Sequence, residues 1–123
     1  MAESELSPCP DSPNCVQSVD AGHKSHITPL QLSAGDNTTT QWKKLQGLIL
    51  AMSRTRLAEQ RDNYMRVEFR SLLFRFVDDV EFMLDASNSI VHIRSAARTG
   101  HYDFGVNRKR LVAIRMLYEK EVL

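Results

Sequence analysis

The sequence predicts an α+β two-layer domain: an antiparallel sheet of three to four strands, two helices on one face of it, and an extended amino-terminal arm. Three observations carry this. Apolar residues recur at three and four residues between Trp42 and Met52, and again from Leu111 to Tyr118, the period of an amphipathic helix. Between those stripes, from Met65 to Ile93, apolar and polar residues largely alternate, the period of a half-buried strand. All four prolines precede residue 40, so the start of the chain reads as turns and extended segments.

Each element follows in order. Residues 1–37 are the Ser- and Pro-rich arm, with Ile27, Leu30 and Leu32 placed to tack it onto the globule 38–123 as a short edge strand. Thr38 to Thr40 are candidate N-caps of the first helix. Trp42, Leu45, Ile49 and Met52 form its stripe, widened by Leu48, and roughly five turns end it near Arg61-Asp62-Asn63. Gly47 within it costs about 1 kcal/mol relative to alanine and points to a close contact there. Met65, Val67 and Phe69 then face the core, and the run Leu72–Val77 reads as a continuing or bent strand. Val80, Phe82 and Leu84, and after an Ala86–Ser89 turn Val91 and Ile93, complete the apolar sheet face. The second helix starts near Asn107, which is placed as its N-cap, and covers the sheet through Leu111, Ile114 and Leu117.

Composition narrows the function classes. The 123 residues make one domain with one core. Sixteen Lys and Arg against fifteen Asp and Glu leave a net charge of +1, without the basic excess of a nucleic-acid binder. No run reaches the ~20 apolar residues of a membrane span. The acidic amino end, Met1-Ala-Glu-Ser-Glu-Leu, is not a leader. The expected compartment is the cytoplasm for the chain as it stands, or the envelope or a lumen where a leader has been removed.

The richest stretch runs from Arg94 to Arg110, with five cations, two glycines, an Asp and an Asn between the last strand and the last helix. These are the parts of an anion site at a helix entrance, and equally of a structural clamp. Arg108, Lys109 and Arg110 oppose the helix dipole in its first turn, a mild frustration that an anionic partner would relieve. Asp103 is placed to accept backbone N–H bonds, and Arg94, Arg98 or Arg110 to pair with Asp78 or Asp79. Those two aspartates converge as an acid/base pair only if the chain bends between them, because neighbours on a strand face opposite ways. His101 is a candidate general base.

Cys9 and Cys15 sit in Cys-Pro-Asp-Ser-Pro-Asn-Cys. A structural disulfide, two free thiols in a reducing compartment, or a Cys2His2 zinc set with His23 and His26 all remain open. The zinc spacing departs from the usual patterns, so no metal is assigned.

Taken in order, Cys9-Pro-Asp-Ser-Pro-Asn-Cys-Val16, Phe76-Val-Asp-Asp-Val-Glu-Phe82, Arg94-Ser-Ala-Ala-Arg-Thr-Gly100 and Asp103-Phe-Gly-Val-Asn-Arg-Lys-Arg110 resemble the domain of unknown function 1499 family. The likeness extends from about Cys9 to Tyr118. It implies no activity, since the family has none established. Relatives look like small bacterial and plastid proteins, often behind a leader or attached to membrane segments, which implies an envelope or lumenal setting and a Cys9–Cys15 disulfide. Ala97 stands where many relatives carry serine, and His23 and His26 match no motif of the family.

The functional expectation is a non-catalytic binding or interaction module, with Asp78, Asp79, Arg94, Arg98, Asp103, Asn107, Arg108 and Arg110 forming either a ligand site or a structural clamp. Its expected partner is an anionic small molecule or a protein, with no cofactor, metal or nucleic acid. The alternatives are a small hydrolase using Asp78, Asp79 and His101, and a scaffold whose charges pair internally.

Overall fold

The structure, a computed structural model, describes residues 6–32, 37–71, 76–100 and 105–122. Its elements are β1 (Cys15–Gln17), β2 (Leu30–Gln31), α1 (Thr38–Leu50), β3 (Thr55–Arg61), β4 (Tyr64–Arg70), β5 (Val77–Asp85), β6 (Ile90–Ala97) and α2 (Val106–Val122). The fold is α+β with an antiparallel sheet of six strands in the order β1-β6-β5-β4-β3, β2 sharing the outer edge of β6 with β1. The count of three to four strands is therefore too low.

The alternation places the expected residues on one face. Met65, Val67, Phe69, Val80, Phe82, Leu84, Val91 and Ile93 form a single core with Trp42, Leu45, Ile49, Leu111, Ile114 and Tyr118 from the helices. Leu117 is only half-buried, and Tyr118 takes the interior position, its hydroxyl donating to Gln41 Oε1 at 2.7 Å. α1 covers β3, while α2 covers β6 and β1. Trp42 Nε1 donates to the carbonyl of Asp62 at 2.9 Å and ties α1 to the β3–β4 turn.

Three local expectations are corrected. The N-cap of α1 is Asn37, whose side chain accepts from the Thr40 amide, rather than a threonine. The helix stops at Leu50 instead of near Arg61, and residues 55–61 are the edge strand β3. Here the Thr55 hydroxyl donates to the Met52 carbonyl at 2.9 Å, and Arg54 adopts a left-handed φ of 58°. Most β3 side chains are exposed on both faces, so no alternation marked the strand, and its helix-favouring Leu, Ala, Glu and Gln extended the helical reading. A bulge between Leu57 and Glu59, with Arg56 and Arg61, blunts its free edge.

Gly47 makes no close contact: a Cβ there would meet nothing within 4 Å. Gly47→Ala is accordingly expected to stabilise the protein by about 0.5–1 kcal/mol, chiefly by restricting the unfolded chain. A urea midpoint that fails to rise would refute this reading of an exposed, uncrowded helical position.

The arm wraps the β6 edge. Leu6 packs on Tyr64 and Met83, a cross-strand pair on the face away from the helices. Residues 15–17 and 30–31 pair with the two ends of β6, and Ile27, Leu30 and Leu32 enter the main core. Helix α2 holds the arm from above, as Arg108 donates to the carbonyl of His26 at 3.1 Å and Arg115 to that of Thr28. Cys9 and Cys15 are disulfide-bonded, S–S 1.98 Å. Neither sulfur is then a thiolate ligand, and His23 bonds to Ser25 and Asp11 instead.

Candidate functional site

Strand β5 divides the sequence-predicted site in two. Asp78 pairs with Phe69 on β4 and Ala97 on β6, while Asp79 pairs with Glu68 and Ala96. Cross-strand partners share a face and neighbours do not. Asp78 therefore lies on the helix side and Asp79 on the open side, so they form no acid/base pair. His101 and Asp103, like the run 72–75, lie outside the described residues.

On the helix side, polar groups from distant segments form one junction. Ser95 donates to Asn107 Oδ1 at 2.5 Å, and Asn107 Nδ2 donates to the carbonyl of Asn14 at 3.1 Å. Arg110 Nη1 donates to Asn107 Oδ1 at 2.9 Å, and its Nη2 lies 2.8 Å from Asp78 Oδ2. The guanidinium carbon also sits 4.8 Å from the centre of the Phe69 ring. Asn14 is held in turn: its Nδ2 donates to the Gly100 carbonyl at 2.6 Å, and its Oδ1 accepts from Ser12 at 2.6 Å. The disulfide ring, β5, the end of β6 and the start of α2 are thus fastened by one hydrogen-bonded string. Buried polar groups need such partners, and a network of them specifies a unique arrangement.

Asn107 is not the N-cap expected of it. Helix α2 begins at Val106, and the Gly105 carbonyl accepts the first helical bond from Lys109 at 2.9 Å. Gly105 has a φ of 76°, a turn conformation that glycine adopts without penalty. The side chain of Asn107 instead points inward, fully buried, to serve Ser95 and Asn14. Arg108 belongs to neither cluster, being spent on the arm.

The open face carries a lattice of charges. Arg98 Nη2 lies 2.7 Å from Asp79 Oδ1 and 3.2 Å from Glu68 Oε2. Arg56 and Arg70 converge on Glu68 at 3.5 and 3.1 Å, and Arg66 reaches Asp79 at 3.5 Å. Arg94 bonds Glu81 at 3.5 Å and the carbonyl of Pro8 at 3.3 Å, so its partner is neither aspartate. Tyr64 donates to Glu81 at 2.6 Å, and burial together with that carboxylate pushes its phenol upward in pKa.

The hydrogen bond from Arg98, reinforced by its charge and those of Arg56 and Arg70, holds the Glu68 carboxyl below its ordinary 4.5 despite burial. A depressed folded-state pKa contributes stability above the unfolded value that disappears as pH falls through the folded one. Urea unfolding free energies are expected to decline below about pH 4.5, with a shallower decline for Glu68→Gln over the same window. Equal acid slopes in both proteins would contradict this.

Beside the junction lies a cleft of about 750 Å³. Leu48, Met52, Phe69, Val106 and Leu117 give its apolar walls, and Arg54, Arg70, Lys109 and Arg110 its cations, with no carboxylate in the lining among the described residues. Among the described residues, Arg54 and Lys109 form no ion pair. Sequence reasoning missed Asn14, Glu68, Ser95 and this cleft. Ser95 left a signal, being a polar residue in register with the apolar face of β6 beside Val80. Arg54 and Arg70 left none, because only the end-on meeting of α1, β4 and α2 brings them together.

A family model described as "Protein of unknown function (DUF1499)" matches residues 5–117 of the 123. Searches of curated proteins and of solved structures found no match.

Proposed function

The chain belongs to the DUF1499 family, and we propose that it is a non-catalytic binding domain whose ligand is a small amphipathic anion seated in the cleft between the end of α1 and the start of α2. The observation that carries this reading is the combination, in one concavity, of apolar walls with the cations Arg54 and Lys109. A volume of about 750 Å³ lies in the range of small-molecule sites. The first turn of α2 contains no acidic residue, so the positive end of its dipole adds to the attraction. An apolar tail against Leu48, Met52 and Phe69 and an anionic head toward Lys109 fit this arrangement.

The motif charges have a different role on this reading. Asp78 with Arg110 and Asn107 with Ser95 satisfy one another and act as the architectural clamp that positions α2, while Asp79 and Arg98 satisfy one another on the open face. With Asp78 and Asp79 on opposite faces, hydrolysis by paired carboxylates has no geometric support here.

Titration with sodium decanoate, followed by amide NMR shifts, tests the proposal. Saturable shifts confined to residues 48–54, 69–70 and 106–117 are expected, with affinity falling about tenfold or more in an Arg54→Glu/Lys109→Glu variant. No saturable response, or equal binding of decyltrimethylammonium, would overturn it.

A further inference from the structure

We infer that the cleft end of the molecule docks on an anionic lipid bilayer, the bilayer being the source of the amphipathic anion; this rests on the reading of the cleft given above. Two independent observations point there.

The first is charge. The chain as a whole carries only +1. At the cleft, however, Arg54, Arg70, Lys109 and Arg110 meet only Glu68 and Asp78 among the described residues. Asp78 is taken by the largely buried Arg110, and Glu68 is shared by Arg70, Arg56 and Arg98, which leaves Arg54 and Lys109. Among the described residues a cationic surplus is thus left at one pole of a nearly neutral protein. That pole is too small a share of the surface to show in the net charge.

The second is exposed apolar surface. Leu50, Phe76 and Val106 are 36, 59 and 44% exposed. They stand at the last residue of α1, just before β5 and at the first residue of α2. Val106 lines the cleft, Leu50 lies between Leu48 and Ala51, which line it, and Phe76 precedes the strand whose Val77 pairs with the cleft residue Arg70. Scattered exposed apolar residues mean little. Apolar side chains set among surplus cations are the composition of a surface that sits at a headgroup boundary. Nucleic acid would use the cations and leave the apolar residues wet, so the bilayer satisfies both features.

The test is vesicle co-sedimentation of the full chain, using phosphatidylcholine with and without phosphatidylglycerol. Binding is expected only to the anionic vesicles, and its loss when salt is raised to about 1 M, where the screening length falls to ~3 Å. Arg54→Glu/Lys109→Glu should weaken it by about tenfold or more. Val106→Ser, which spares every charge, should weaken it as well. Lys43→Glu/Lys44→Glu, the same charge change on the exposed side of α1, should leave it within about twofold, and unchanged thermal midpoints would show all three variants folded. Equal binding to neutral vesicles, or equal loss in the Lys43/Lys44 control, would overturn the inference. Saturable decanoate binding with no vesicle binding would overturn it and leave the cleft reading standing, whereas failure of both would remove the two together.

Discussion

Asp78→Ala is expected to destabilise the protein by about 3–5 kcal/mol, because it strands a largely buried cation. The side chains of Arg110 and Asp78 are 13 and 12% exposed and 2.8 Å apart. Arg110 has little water to fall back on, and the face of Phe69 offers only weak compensation. Asp79 is the internal control. Its partner Arg98 is 45% exposed and keeps a second carboxylate, Glu68, at 3.2 Å, so Asp79→Ala should cost at most about 1 kcal/mol. Urea unfolding of the two variants side by side checks both values. A double change, Asp78→Leu with Arg110→Met, should recover most of the loss, since the pair's worth lies in mutual neutralisation of buried charge. If Asp78→Ala and Asp79→Ala cost the same, the division of the charges by the sheet is wrong.

Phe82→Ala should cost a comparable 3–5 kcal/mol through lost burial and the cavity left behind. Phe82 is fully buried on the central strand β5, in register with Met65 on one side and Ile93 on the other. Both neighbours are strands, and the helices close the core above, so the backbone has little room to collapse into the space. Phe82→Leu keeps most of the volume and should cost under about 1.5–2 kcal/mol. Near-native unfolding of Phe82→Ala would refute the face assignment of β5.

How much of this was legible without coordinates depended on the range of the interactions. The face of β4, β5 and β6 was written in single alternation, because each strand has water on one side and the helices on the other. Both helical stripes were legible for the same reason. Strand β3 was not, since an edge strand wetted on both faces leaves no pattern. The arm looked like irregular chain because its order comes from β6, Arg108 and Arg115, about sixty to ninety residues away in sequence.

The site divided along the same line. Composition identified Asp78, Asp79, Arg98, Asn107 and Arg110 as groups in need of partners, and the period of a strand already required that the two aspartates diverge unless the chain bent. Which arginine met which aspartate was decided by the register of β5 against β4 and β6 and by the landing of α2, through contacts between residues about twenty to thirty positions apart. The cleft belongs wholly to that second level. By itself the sequence determined which side chains must be buried and which polar groups must be satisfied, because burial and hydrogen bonding act on each residue where it stands. The pairing of those groups, and the joining of Arg54, Arg70 and Lys109 into one cationic concavity, came only with the tertiary structure, because a local pattern carries no information about which distant segment will arrive beside it.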